Sequence, residues 1–443
     1  MIYILTDYET GRLRYVLSFI FEEVYSIPFS IIQSKDELPQ DASVLVVYGD
    51  EKREVSALTP KVTIPQTGLL FEKGVRSLQP AVSIEAEGAL PFFFDGPFKT
   101  TIDFSFDLFA LVFYCITRYE EYNSTEKDSY GRFPASASLA GKNGFLNVPL
   151  VDSWLEIFIK KLELKSGQKI PKKQNFAVFP GIDIDRVWAF AYKEKSHLPG
   201  LLKDVLSGHW SRVPDRFRAV RNPETDPFFT FDYIDKTLSE SRKVPLYFIL
   251  FAKNPDQTDI NHPRDLKAFL DWLEVFAKTH RTGLHPSFRS HFSPEFLADE
   301  KRAFETVTRK PVINSRQHYI LFRLPQTYQH LEEAGIQHEY SMGYPESTGY
   351  RASTGYSYHW YDLEKEKVSS LVIHPFQFMD VTLRKYMGMQ PEEAISWLTV
   401  TMDTAKSTDS PVRFIWHNSS FYHGNGWKNW DKVFRYLAEY ATK

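Results

Sequence analysis

Asp183-Ile184-Asp185 sets two carboxylates one residue apart, straight after an apolar run over 176–182 that reads as a strand. In extended chain the side-chain period is two, so both acids point to one face. Two carboxylates that close repel each other unless a cation or a shared proton relieves them. A metal ion is the economical solution, with one acid as ligand and the other taking a proton from the bound water. The same tripeptide also serves as a helix N-cap or a turn. His285 in Gly283-Leu284-His285 and His417 in Trp416-His417-Asn418 stand in comparable places. Taken singly, each suits a hydrogen-bonded structural histidine. An acid pair and two histidines at three strand ends are together what a metal hydrolase needs.

The elements that must carry these residues follow from periodicity. Short apolar runs over 176–182, 244–251, 312–313, 371–373 and 412–416 read as strands. Between or after them, 265–278, 391–405 and 427–441 keep the apolar spacing of amphipathic helices. Such alternation means parallel βα units, as a (β/α) barrel or a doubly wound sheet, and both put their chemistry at the carboxyl ends of the strands. Upstream, a helix over 12–24, a strand over 43–48 and an apolar helix over 106–122 suit a smaller α/β domain. Six lysines with Ser166-Gly167 and Pro171 mark a connector between the two. The expected division is 1–160, a linker over 161–174, and 175–443.

The chain of 443 residues has 53 Lys and Arg against 56 Asp and Glu, a net charge of −3 that leaves no global field for gripping nucleic acid. Its 36 Phe, 24 Tyr and 9 Trp supply both core and surfaces for stacking on sugar rings. The lone Cys115 excludes an internal disulfide and any multi-cysteine metal site. No apolar run approaches the roughly 18 residues of a membrane span, and Asp7 without a basic lead argues against a secretory signal, so the expected location is the cytoplasm.

Residues from about 174 to 443 resemble the NodB-like polysaccharide deacetylases (carbohydrate esterase family four), in the branch with an Asp-x-Asp first motif. The resemblance implies a distorted (β/α)7 barrel, preceded here by the smaller α/β domain, which in 106–122 and Gly131-Arg132-Phe133 is similar to an uncharacterised domain often found before such barrels. It implies Asp183 as general base and Asp185 as metal ligand. Thr282-Gly283-Leu284-His285-Pro286-Ser287 is similar to the second motif, with His285 a ligand. Gly349-Tyr350-Arg351-Ala352 resembles the segment whose arginine orients the catalytic acid, here Arg351. Phe414-Ile415-Trp416-His417-Asn418 matches the last motif, whose histidine is the general acid, here His417.

One departure stands out. The second metal histidine of that family falls on Arg289, and a guanidinium cannot ligate a cation. The third ligand is then expected from His318, with His291 or His374 as substitutes; alternatively Arg289 pairs with Asp183 and Asp185 and displaces the metal. The expected ion is Zn²⁺, given Asp and His donors. Trp188, Tyr356 and Trp416 are the expected stacking surfaces for sugar. Asp380 is placed either to hydrogen-bond a site histidine or to cap a helix. The expected function is removal of an N- or O-acetyl group from a carbohydrate, a hydrolysis of carbon–nitrogen bonds other than peptide bonds in the N-acetyl case. The alternative is a catalytically degenerate barrel that binds glycan or protein. A two-carboxylate glycosidase needs a second acid across a groove, and Asp183 has no obvious one.

Overall fold

The computed structural model describes residues 1–49, 60–84, 89–96, 103–192 and 197–440. Its first sheet is small and parallel. Strands β1 (Ile2–Leu5), β2 (Phe29–Ile32), β3 (Leu45–Tyr48) and β4 (Lys61–Ile64) lie in the order β2-β1-β3-β4. The fully buried helix Leu108–Ile116 packs beside them. Asp107 caps it, accepting from Ala110 N–H as well as from Thr67 and the Tyr48 hydroxyl. The expected helix over 106–122 is broken in two because Arg118 adopts a left-handed φ of 54° before the turn Tyr119–Tyr122. The helix expected over 12–24 is α-helical over Gly11–Ser18 and continues as a wider π-turn over Phe19–Val24.

The lysine-rich connector is helical in its first part. Leu150–Ser166 is one helix, closed by Gly167 at φ 70°, a conformation that glycine adopts without strain. Lys165 pairs with Asp103, and Lys172 with Glu156 and Asp409, so the stretch is tied down at both ends.

The second sheet has nine strands: β5 (Val178–Ile184), β6 (Leu246–Leu250), β7 (Arg281–His285), β8 (Asn314–Ser315), β9 (His338–Glu339), β10 (Tyr358–Asp362), β11 (Lys367–Ile373), β12 (Phe378–Met379) and β13 (Val412–His417). Their order is β10-β11-β9-β8-β7-β6-β5-β13-β12, and every pair is parallel except β10–β11. Helices such as Phe231–Glu240, Lys267–Thr279 and Pro294–Thr308 link consecutive strands. The last starts sharply, with Ser293 accepting from Phe296 N–H and Pro294 in the first turn. The C-terminal helix runs Trp430–Tyr440; Ala441, the end of the expected segment, lies outside the described residues.

This sheet cannot be flat. Between β11 and β12 lie seven inter-strand spacings, about 34 Å in a flat sheet. The chain joins them through residues 374–377 alone, a reach of about 17 Å. The sheet therefore curls until its two sides approach. No helix among the described residues is long and apolar enough to cross a membrane.

Candidate active site

Register brings the expected residues together. On the central strands, His417 lies beside Asp183 and Leu250 beside His285, so β13, β5, β6 and β7 end at one rim. Leu284 pairs with Ser315 of β8, and the chain then turns through Arg316 and Gln317 into His318, whose N–H donates to Pro286 O at 3.2 Å.

At this rim Asp185, His285 and His318 each present a ligating atom, all within 4.8 Å of one another. His285 Nε2 and His318 Nε2 each stand 3.7 Å from Asp185 Oδ1. That oxygen is buried and has no hydrogen-bond partner. Both imidazoles are held from behind: His285 Nδ1 by the Arg316 carbonyl at 2.5 Å, and His318 Nδ1 by Asp259 Oδ1 at 2.8 Å. Such backing leaves each Nε2 free and aimed forward, which is how protein metal ligands are oriented. Burial pushes His285 down to about 4, with neighbouring His318 adding to the effect against Asp183 and Asp185, so its ring is neutral at neutral pH. Burial pushes the other way on Asp185, but the neighbouring His318, His417 and His285 hold its carboxyl below the usual range. An unpartnered carboxylate oxygen facing two neutral-capable imidazole nitrogens is a donor set that fits a divalent cation.

Asp183 is buried and points its Oδ2 at His285 Nε2, 3.8 Å away. Its Oδ1 receives a 2.6 Å hydrogen bond from Arg316 Nη1. The Arg316 guanidinium lies over the Phe248 ring at 4.2 Å, in space kept open by Gly181, where a Cβ would overlap it. His417 donates its N–H to Asp380 Oδ2 and meets Asp380 Oδ1 through Nδ1, both at 2.8 Å. Asp380 thus takes the first of its two expected roles. Burial opposes protonation of His417, yet the charge and hydrogen bond of Asp380, with Asp185 and Asp183 beyond, raise it to about 10.

A cleft of about 440 Å³ opens in front of Asp185, His318 and His417. Phe228, Tyr319 and Trp427 supply its aromatic walls. Arg186 and Lys385 line it too and form no ion pair among the described residues. The N-terminal part reaches this rim. Tyr319, strained at φ 61°, has its carbonyl held by Arg132 Nη1 at 2.7 Å, and its ring meets that of Tyr130.

Several expected residues lie elsewhere. Arg351 does not reach Asp183; it pairs with Glu121 through Nε at 2.9 Å and Nη2 at 2.6 Å, and the guanidinium on Asp183 is that of Arg316. Arg289 is half exposed and pairs with Asp256 at 2.8 Å, because the turn after β7 swings it outward. His291 contacts Thr327, and His374 is engaged at both nitrogens by Ser357 and His338, so neither joins the cluster. Trp188, Tyr356 and Trp416 are core residues. Trp416 alternates with His417 along β13 and so faces the helices, packing on Trp430 and Phe434. Trp188 lies parallel to Phe229, and Tyr356 is covered by Lys172. Asp259 and Arg316 are contributors that sequence reasoning missed. The only hint of Arg316 was its place after a predicted strand, and nothing local marks Asp259.

Residues 2–166 match a family of unknown function, DUF7033. No curated protein matches this sequence. Among solved structures, the chain is similar to a candidate polysaccharide deacetylase from Mycobacterium smegmatis, at 12% identity over 60% of this chain and 84% of that one, TM-score 0.39. It is also similar to a candidate polysaccharide deacetylase involved in O-antigen biosynthesis from Bordetella bronchiseptica, at 12% identity over 60% and 83% of the two chains, TM-score 0.30. A carbohydrate esterase family four pseudoenzyme from Bacillus anthracis aligns at 11% identity over 61% and 63%, TM-score 0.29. These likenesses are too low to define the fold of this chain, and the functional reading rests on the geometry of the site.

Proposed function

We propose that this protein is a metal-dependent hydrolase that removes an acetyl group from a carbohydrate, built on a NodB-like (β/α)7 barrel. The observation that carries the reading is the convergence of Asp185, His285 and His318 beside Asp183 and His417. Asp185, His285 and His318 would hold the ion. When bound, a divalent cation, Zn²⁺ by the nature of these donors, supplies a Lewis acid for the acyl oxygen and for a water.

The chain's own residues supply the proton transfers. Asp183 receives the proton of the attacking water, and the Arg316 hydrogen bond keeps this carboxylate aimed. His417 carries a proton at neutral pH and gives it to the leaving nitrogen or oxygen, while Asp380 fixes its tautomer and angle. The aromatic walls Phe228, Tyr319 and Trp427 offer stacking surface to a sugar. The alternative of a degenerate, glycan-binding barrel drew on Arg289 taking the metal position, whereas Arg289 belongs to Asp256.

The test is metal content by elemental analysis of protein purified without chelator, together with acetate release from acetylated amino-sugar oligomers. A stoichiometric divalent ion, lost in Asp185→Ala and His285→Ala, and turnover abolished in Asp183→Asn are the expected results. Protein that takes up no ion even when soaked in Zn²⁺ would sink the reading.

A further inference from the structure

The helices His197–Leu206 and Arg212–Arg221 form a hairpin inserted between β5 and β6. Its inner side is firmly seated. Buried Asp204 accepts from Arg216 Nη2 at 2.6 Å and lies 3.5 Å from Arg212 Nη1. Ala219 packs into a cluster with Phe190, Phe228 and Tyr422, and Arg216 lies over the Phe190 ring at 4.4 Å. With that side facing inward, the outer side is left to solvent, and it is apolar. Leu198, Leu202 and Leu206 repeat every four residues on one stripe and are 79%, 59% and 77% exposed. Trp210 at the turn and Phe217 on the second helix are 65% and 63% exposed, and Val220 is exposed beside them. A groove of about 620 Å³ runs between the two helices. Contiguous apolar surface of this kind marks a contact site, unlike scattered single residues.

The charge around it indicates what covers it. Residues 197–221 hold five Lys and Arg against two Asp, in a chain whose net charge is −3. Exposed Lys203 and Arg221 form no ion pair among the described residues. A basic rim around an apolar ridge is the pattern of helices that lie in the plane of an anionic membrane surface. A second copy docked across a two-fold axis would instead set the two basic rims against each other.

We propose that this hairpin docks the protein on an anionic phospholipid surface, its leucines, Trp210 and Phe217 entering the headgroup boundary and Lys203 and Arg221 meeting lipid phosphates. Arg212, the first residue of the second helix, also lines the cleft before Asp185 and His417, so docking sets the cleft beside the lipid. The proposal goes beyond the hydrolase reading and does not rest on it.

Flotation of the full chain with vesicles of phosphatidylcholine, with and without phosphatidylglycerol, tests it. The protein is expected to float with the anionic vesicles, and the bound fraction to fall with added salt. Leu202→Asp/Leu206→Asp, at two exposed positions, is expected to lower partitioning by at least about tenfold with an unchanged unfolding midpoint. Lys203→Gln and Arg221→Gln are each expected to lower it by about fivefold. Protein that stays in the aqueous fraction with both vesicle types would overturn the proposal. So would a Leu202→Asp/Leu206→Asp variant that floats like the wild type, or a wild-type dimer in analytical ultracentrifugation that this variant dissociates.

Discussion

Glu121→Gln is the perturbation whose size the structure specifies best. Glu121 comes from the turn after the buried helix Leu108–Ile116, and Arg351 from the stretch between β9 and β10. The carboxylate accepts from Arg351 Nε and Nη2 and from Arg118 Nε at 2.9, 2.6 and 2.7 Å, with 5% of its side chain exposed. A neutral amide of the same shape leaves the buried Arg351 guanidinium with no counter-charge and Arg118 with Glu120 alone. Breaking a buried pair from one side costs about 3–5 kcal/mol. The electrostatics of the group point the same way. Burial alone would raise Glu121, but the charges of Arg351 and Arg118 bring it down from 4.5 to about 2, a difference worth about 3 kcal/mol. A folded-state value below the unfolded one means stability that is fully present above 4.5 and is lost as pH falls through about 2. Urea unfolding of wild type and variant should therefore differ by about 3 kcal/mol at neutral pH, with the gap closing on acidification across that window. A variant within about 1 kcal/mol of wild type at neutral pH, or a gap that ignores pH, would refute the reasoning.

Three further outcomes are expected. Asp259→Ala removes the acceptor behind His318 Nδ1 and should weaken Zn²⁺ binding by about 10–100-fold, read by competition with a chromophoric chelator; unchanged affinity would count against His318 as a ligand. Asp380→Asn removes the largest of the charges that together overcome burial at His417, so the alkaline limb of the pH–rate profile should move from about 10 towards the ordinary imidazole range, and a limb that stays put would remove His417 from its role. Gly181→Ala drives a methyl group into the Arg316 guanidinium and should cut turnover while bound metal stays stoichiometric; full activity would show that Arg316 does not position Asp183.

Some of this protein was legible along the chain. The alternation of apolar runs and amphipathic stretches after residue 175 marked out parallel βα units, because strand and helix periods are local properties of the sequence. Polar residues at the ends of such runs, Asp183, Asp185, His285 and His417, stood out for the same reason. The choice among His291, His318 and His374 was not local. The two-residue strand β8 aims His318 at the rim, while Thr327 occupies His291, and Ser357 and His338 occupy His374. The partner of Asp183 comes from 133 residues away and that of Arg351 from 230 residues away. Arginines and acids that read alike in sequence are distinguished only by which pairs the packing desolvates together. Trp188, Tyr356 and Trp416 had the chemistry to stack on sugar, and strand alternation with tertiary packing turned them into core. Sequence determined the kinds of groups and the rim they reach, since period and residue type are written in the chain. Tertiary structure decided which of them touch, because burial and long-range pairing exist only once distant segments meet.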